Sequence, residues 1–273
     1  MPSLSDPVAI SLGPLEIRWY AVFIVTGIVL AVLLSSWLTR KRGEDPEIIL
    51  DMATWVVLGA IAGARLYYVL LEWDRFIDDP LWALDFRSGG LTIHGAIIAG
   101  ALIVWLYVRR NGDTPWFWMD VIVPGVALGQ ALGRWGNWAN QEAFGTPTDL
   151  PWAVAIDPAR RPAGYEDFAT FHPTFLYESI FNLLFAAALS WLVLRGPQSH
   201  WFRTGFVTGV YLIGYGLVRI PLESIRTDSL YIGPWPAAYW LSFALIAAGI
   251  TILVWRSSMG STSTTASAEG HQA

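Results

Sequence analysis

The stretch Gly133-Arg134-Trp135-Gly136-Asn137-Trp138-Ala139-Asn140-Gln141-Glu142-Ala143-Phe144-Gly145 follows directly on Val121 to Leu132, an apolar segment that reads as membrane-spanning. It sets an arginine, two asparagines and a glutamate at the edge of a hydrocarbon layer. A charge at the centre of a spanning helix costs about 2.5–3.5 kcal/mol on insertion scales, so charges near spans commonly mark substrate or ion sites. A planar guanidinium flanked by amides and glycines suits phosphate oxygens, with backbone free to come close. The stretch therefore predicts an anion site at a membrane boundary.

Composition agrees with that setting. Of 273 residues, 54% are hydrophobic and 14% charged, with 16 Trp; the mean hydropathy is +0.45. A soluble domain carries about 25% charged residues. Seven apolar stretches of roughly helix-spanning length follow one another: 19–38, 48–71, 91–107, 116–132, 173–194, 204–220 and 235–255. The expected fold is all-α, a polytopic integral membrane protein of about seven transmembrane helices over residues 1–256. The Ser/Thr/Ala-rich remainder, 257–273, is expected to be a disordered cytoplasmic tail. The net charge of −5 says little about partners, because most charges fall in loops. With no cysteine in the chain, thiolate nucleophiles and Cys-based metal sites are excluded. Residues 1–7 show no basic segment followed by an apolar run, so no cleavable signal peptide is expected.

Short loops orient the spans. Arg40-Lys41-Arg42, Arg109-Arg110, Arg195 with Arg203, and Arg256 all fall in alternate connections, which the positive-inside rule makes cytoplasmic. These hold eight of the 17 cationic residues, so the loops rather than the total carry the argument. The loop 72–85 is mainly acidic. The N-terminus is then outside, the C-terminus cytoplasmic, and the polar motifs sit toward the outer leaflet.

Several residues in those motifs have both a plain and a functional reading. Arg65, in Gly63-Ala64-Arg65, is either an arginine snorkelling to the interface or part of a site. His94, in Gly90-Leu91-Thr92-Ile93-His94-Gly95, is a packing histidine or a base: flanking glycines leave space beside the ring, and imidazoles exchange protons near neutrality. Gln130, Arg134 and Asn137 share one helical face if the fourth helix runs on that far. Arg219 and Glu223 form either an ordinary i,i+4 surface pair, worth about 0.3–0.5 kcal/mol, or part of a site with Arg226. Pro221 between them is expected to disturb the helix. Glu178, in His172-Pro173-Thr174-Phe175-Leu176-Tyr177-Glu178, is too costly to face lipid and should turn inward, toward an arginine. Tyr20 reads locally as an aromatic-belt residue. The series Gly125, Gly129, Gly133 and the pair Gly59, Gly63 suit close helix packing.

These pieces resemble the prolipoprotein diacylglyceryl transferases of bacteria. The family signature, broadly G-R-x-G-N-F-x-N-x-E-x-x-G, stands here at 133–145. Arg18-Trp19-Tyr20, Gly63-Ala64-Arg65, Gly90 to Gly95, His172 to Glu178 and Arg219-Ile220-Pro221-Leu222-Glu223 keep the family order over nearly the whole chain. Trp138 replaces a common Phe, Phe175 a common Gln, and Ser224-Ile225-Arg226-Thr227 departs from Phe-Phe-Arg-Gln. The resemblance implies transfer of the diacylglyceryl unit of phosphatidylglycerol to the lipobox cysteine of a prolipoprotein signal segment, at the bacterial plasma membrane, with release of glycerol phosphate. It implies His94, Arg134 and Arg219 as catalytic residues. Tyr20, Arg65, Asn137, Asn140, Glu142, Gly145, Glu178, Glu223 and Arg226 become substrate-binding. Membrane lipids are the surroundings; no nucleic acid, cofactor or metal is expected.

Other functions fit less well. A retinal protein needs an intramembrane lysine, and the only lysine, Lys41, lies in a loop. A serine protease would have to use Ser88 or Ser179, neither in a nucleophile motif. A transporter of anionic lipid or solute would use the same arginines but no base.

Overall fold

The computed structural model describes residues 1–4, 6–13, 15–77, 79–85 and 89–258. Asp78, Arg87, Ser88 and the segment 259–273, most of the expected tail, lie outside the described residues. Seven long helices follow in chain order: α1 (Trp19–Lys41), α2 (Glu47–Leu71), α3 (Ile93–Arg110), α4 (Pro115–Asn140), α5 (Thr174–Arg195), α6 (Phe206–Ser224) and α7 (Ala237–Ser258). All but α4 are long and apolar enough to cross a membrane, so the chain is a multi-pass membrane protein. The end of α4 carries Gln130, Arg134, Asn137 and Asn140, which dilute its apolar content. Basic residues occupy the last turns of α1, α3, α5 and α7 and are absent from those of α2, α4 and α6.

Two elements differ from expectation. The fourth helix does not stop at Leu132 but continues to Asn140, through most of the signature. Pro221 does not break α6, which runs on to Ser224. Proline removes one backbone donor, and here only three residues follow it. That last turn is tied instead by side chains, Arg219 to Glu223. Three two-stranded antiparallel ribbons, which hydropathy does not reveal, complete the fold: β1–β2 (Val8–Leu12, Leu15–Arg18), β3–β4 (Val154–Ala155, Thr170–Phe171) and β5–β6 (Tyr231–Ile232, Trp235–Pro236).

The chain divides into two units. One comprises Thr39–Met119, built on the α2–α3 pair. Its helices touch through glycines: a Cβ on Gly95 would lie 2.2 Å from the Gly63 carbonyl oxygen, so only glycine permits the approach. The other unit takes residues from 1–38 and from 120 onward. There α1 lies against α4, where a Cβ on Gly125 would come 2.6 Å from the Ala31 oxygen and one on Gly129 3.4 Å from the Gly27 oxygen. Gly125 and Gly129 thus serve packing, as their spacing suggests. α6 rests on α7 in the same manner, through Gly209 and Gly249.

A buried carboxylate ties α4 to α6. Asp120 accepts hydrogen bonds from the Gly205 N–H (2.7 Å), the Thr208 N–H (2.8 Å) and the Thr208 hydroxyl (2.7 Å). Gly205, at φ 97°, offers α6 no side-chain cap of its own. Asp120 does that job from another helix, satisfying orphan N–H groups and favouring the positive end of the helix dipole.

Candidate active site

In the larger unit, the C-terminal ends of α4 and α6 meet the N-terminal end of α5. The α5 residues Phe175, Glu178, Ser179, Asn182 and Ala186 form one buried stripe at helical spacing. Glu178 is 2% exposed and turns inward, as its cost in lipid requires. Its Oε1 accepts from Arg219 Nη1 at 2.8 Å, and its Oε2 lies 2.7 Å from Arg134 Nε. The second contact is one of charge without hydrogen-bond alignment, leaving Oε2 buried with no hydrogen bond. Arg134 and Arg219, on different helices, thus converge on the two oxygens of one carboxylate.

The cluster extends from there. Arg219 Nη2 meets Glu223 Oε2 at 2.5 Å, and Arg226 Nη1 lies 3.7 Å from the same oxygen. Arg226 also forks onto Asp228 with bonds of 2.9 and 3.0 Å. Burial opposes the Arg226 charge, but the Asp228 hydrogen bond and the charges of Asp228, Glu223 and Glu178 raise its pKa above the usual guanidinium value. This is no surface pair: Arg219 and Glu223 side chains are 12% and 5% exposed, so breaking one partner leaves a buried charge.

On α4, Arg134 Nη1 donates to Asn137 Oδ1 at 3.4 Å. Asn137 Nδ2 and Asn140 Nδ2 both donate to Glu142 Oε1, at 3.0 and 3.3 Å. The helical face of Gln130, Arg134 and Asn137 is therefore real. Tyr20 of α1 packs on the neighbouring glycine side of the same helix: a Cβ on Gly136 would come 2.5 Å from its ring. Among the described residues, Arg134 Nη2 and Arg219 Nε make no hydrogen bond. Each guanidinium is thus held through two of its nitrogens by acidic or amide side chains and retains an unspent donor.

The loop after α4 is held in strained backbone. Gln141 and Ala143 adopt positive φ, 53° and 56°, a conformation costly to residues other than glycine and kept only where surroundings enforce it. Here they do. The Gln141 side chain donates to the Leu4 carbonyl and to Asp157 Oδ2, and accepts from the Asp157 N–H. The Thr174 hydroxyl donates to the Ala143 carbonyl. Gly145 then crosses between two segments: its N–H donates to the His172 carbonyl at 2.9 Å, and it forms a bridge with Arg226. A Cβ there would lie 2.8 Å from His172 Cβ. Beneath the loop, Phe144, Val154, Ile156, Phe171 and Phe175 form a hydrophobic core. Gln141, Asp157 and Thr174 escape motif reading because each partner lies at least 16 residues away; only the strained φ values reveal their task.

Ten of the expected residues, Tyr20, Arg134, Asn137, Asn140, Glu142, Gly145, Glu178, Arg219, Glu223 and Arg226, fall in this unit. Arg65 and His94 belong to the other. Arg65 is buried, and every guanidinium nitrogen donates to backbone: Nε to Ala83 O, Nη2 to Trp82 O, Nη1 to Gly89 O and Gly90 O. It also lies over the Tyr68 and Phe76 rings. His94 is exposed in the first turn of α3, its ring 6.3 Å from that of Tyr67. The glycines near it do not leave open space. Gly95 is filled by Gly63 and Tyr67, and Gly90 by Tyr68 and Arg65. Ser179 is no poised nucleophile: its hydroxyl accepts from Trp135 Nε1 at 3.1 Å and, among the described residues, donates to no histidine or carboxylate.

Span-length helices that gather three arginines and their carboxylates at one end define an integral-membrane protein with a buried ionic centre. Comparison with known proteins refines that class. A profile of the prolipoprotein diacylglyceryl transferase family matches residues 7–255. The phosphatidylglycerol–prolipoprotein diacylglyceryl transferase of Synechococcus elongatus is 48% identical over 250 residues, covering 91% of this chain and 86% of that protein. The enzyme of the same name from Gloeobacter violaceus is 44% identical over 250 residues, covering 91% and 92%; that from Synechocystis is 43% identical over 252 residues. This chain belongs to the prolipoprotein diacylglyceryl transferase family.

Proposed function

We propose that the protein transfers the diacylglyceryl group of phosphatidylglycerol to the thiol of a lipobox cysteine in a prolipoprotein. A carbon–sulfur bond forms as the bond between the glyceryl carbon and the phosphate oxygen breaks. The electron pair leaves on that oxygen, and the thiol proton passes through a base to the released glycerol phosphate. The nucleophile comes from the substrate, so a chain without cysteine suffices.

One observation carries the reading: Arg134 and Arg219 share the two oxygens of Glu178. Two guanidiniums already arranged around one oxyanion group, with Arg134 Nη2 and Arg219 Nε unspent, suit a phosphodiester whose negative charge grows on leaving. Asn137, itself tied with Asn140 to Glu142, holds Arg134, and Glu223, flanked by Arg226, holds Arg219. Tyr20 and Gly145 line and shape the same end of the unit. Four carboxylates (Glu142, Glu178, Glu223 and Asp228) accompany three arginines, so the arginine field alone is a poor source of thiol acidity. That favours a separate base, and the family motif assigns the role to His94; Arg65 serves through the loop it holds. The basic last turns of alternate helices support a cytoplasmic C-terminus, with the ionic centre toward the outer leaflet of the bacterial plasma membrane.

Incubation of purified protein with phosphatidylglycerol and a lipobox peptide tests the reaction. The expected product is a peptide heavier by one diacylglyceryl unit together with free glycerol phosphate. Intact lipid and unmodified peptide would favour a lipid carrier instead. His94→Gln is expected to remove the low-pH limb of the rate profile; full activity with an unaltered profile would leave His94 a packing residue.

A further inference from the structure

One helical turn below the Arg134–Glu178 contact lies a second polar layer. α4 and α5 run antiparallel, since Trp138 and Trp135 both meet Phe175, Trp135 meets Ser179 and Arg134 meets Glu178. Gln130, four residues before Arg134, and Asn182, four after Glu178, therefore stand on the site-bearing faces at one level. Asn182 is 1% exposed, on the same buried stripe as Glu178. It makes no hydrogen bond to any described residue, and its Oδ1 is buried. Gln130 Oε1 is likewise buried without a partner, while its side chain also interacts with the Tyr211 hydroxyl on α6.

A buried amide oxygen without a hydrogen bond is costly, at a place where leucine would pack with no polar atoms to satisfy. Two amides with such oxygens at one level, next to the ionic centre, mark a place where a ligand supplies what the protein does not. Nitrogen and oxygen of a side-chain amide exchange places by a half-turn, so a donor can face the ligand in either case. The polar groups of a diacylglyceryl unit are acceptors only. In phosphatidylglycerol the ester carbonyl carbons lie three and four bonds from the carbon that leaves phosphate. That reach matches one turn, about 5.4 Å, between the arginine level and the amide level. The acyl chains then continue toward the middle of the helices, where lipid tails belong.

We propose that Asn182 and Gln130 form a subsite for the ester carbonyls of the diacylglyceryl group, so that the protein recognises ester-linked lipid. The proposal rests on Arg134 and Arg219 as the phosphate clamp. The test compares diester phosphatidylglycerol with its diether analogue, which keeps the phosphate and headgroup but lacks carbonyls. Wild-type protein is expected to retain the diester about tenfold more tightly, the factor of one well-made hydrogen bond. Retention is read by native mass spectrometry, with transfer kcat/KM in parallel. Asn182→Leu is expected to lower diester binding to the diether level while leaving the diether unchanged and the thermal midpoint no lower. Gln130→Leu is expected to do the same to a smaller degree, and serves if the first variant fails to fold. Equal handling of both lipids by wild type, or equal loss of both in the variants, overturns the subsite. Retention needs no turnover, so it stands apart from the clamp: undiminished retention of both lipids by Arg134→Ala would sink the clamp whatever the ester preference.

Discussion

Arg65 and Arg134 are both arginines on span-length helices, yet their surroundings differ in kind. Arg65 spends Nε, Nη1 and Nη2 on the carbonyls of Trp82, Ala83, Gly89 and Gly90. Arg134 meets a carboxylate and an amide and keeps Nη2 unspent. Backbone carbonyls are neutral partners, fixed by the fold; giving them up means undoing the loop. A carboxylate is an anion, and a guanidinium arranged around one anion is already arranged for another, such as phosphate. The first arginine is a strut and the second a receptor, although in sequence both are simply arginines beside small residues.

Breaking the receptor should have the largest effect. Arg134→Ala is expected to cut transfer by at least about 10²–10³-fold, the range for loss of one oxyanion donor, read as the appearance of modified peptide. Near wild-type turnover would place the phosphate elsewhere. Arg219→Lys is expected to lose less, about tenfold to a hundredfold in kcat/KM. An ammonium keeps the charge but cannot bridge Glu178 and Glu223 with two parallel edges. If Lys restores full rate, charge alone suffices and the fork geometry is incidental.

The strut should fail differently. Arg65→Lys is expected to destabilise by about 2–3 kcal/mol through several unmade carbonyl bonds, seen as a lower thermal midpoint, while retained phosphatidylglycerol stays near wild-type amounts. A raised KM at unchanged stability would return Arg65 to direct lipid contact, the role its motif suggests. Gly136→Ala sharpens the comparison most finely. Its methyl would press on the Tyr20 ring, so a modest overpacking cost of about 1–3 kcal/mol and a several-fold rate loss are expected. No change in rate would make Tyr20 a belt residue after all.

The seven helices were legible because each span is an apolar run with loop residues on either side, and Glu178 turned inward for the reason its burial cost implies. The helical face of Gln130, Arg134 and Asn137 followed from spacing alone. The rest depended on partners distant in sequence. Nothing local to Asp120 reveals that it caps a helix whose N-cap residue lies 85 residues later, and nothing around Gln141 announces its bonds to Leu4 and Asp157. Pro221 leaves α6 unbroken because a proline rule concerns one missing donor, whereas the last turn of α6 is tied by ionised side chains. The glycines near His94 misled for a similar reason: the space they leave is taken by α2.

The Asp120 tie also bears on how the protein is made. Among the described long helices, α4 is the one whose composition does not by itself qualify it for hydrocarbon, and Gly205 and Thr208, which donate hydrogen bonds to its Asp120, are synthesised much later. Until α6 emerges from the ribosome, Asp120 at one end of the signature helix lacks the three donors that Gly205 and Thr208 supply, and Glu178, beside Arg134 at the other end, lacks Arg219. Its final seating therefore belongs to the closing stage of biogenesis, and a nascent chain cut short before residue 205 holds the signature helix without the donors to Asp120 and without Arg219.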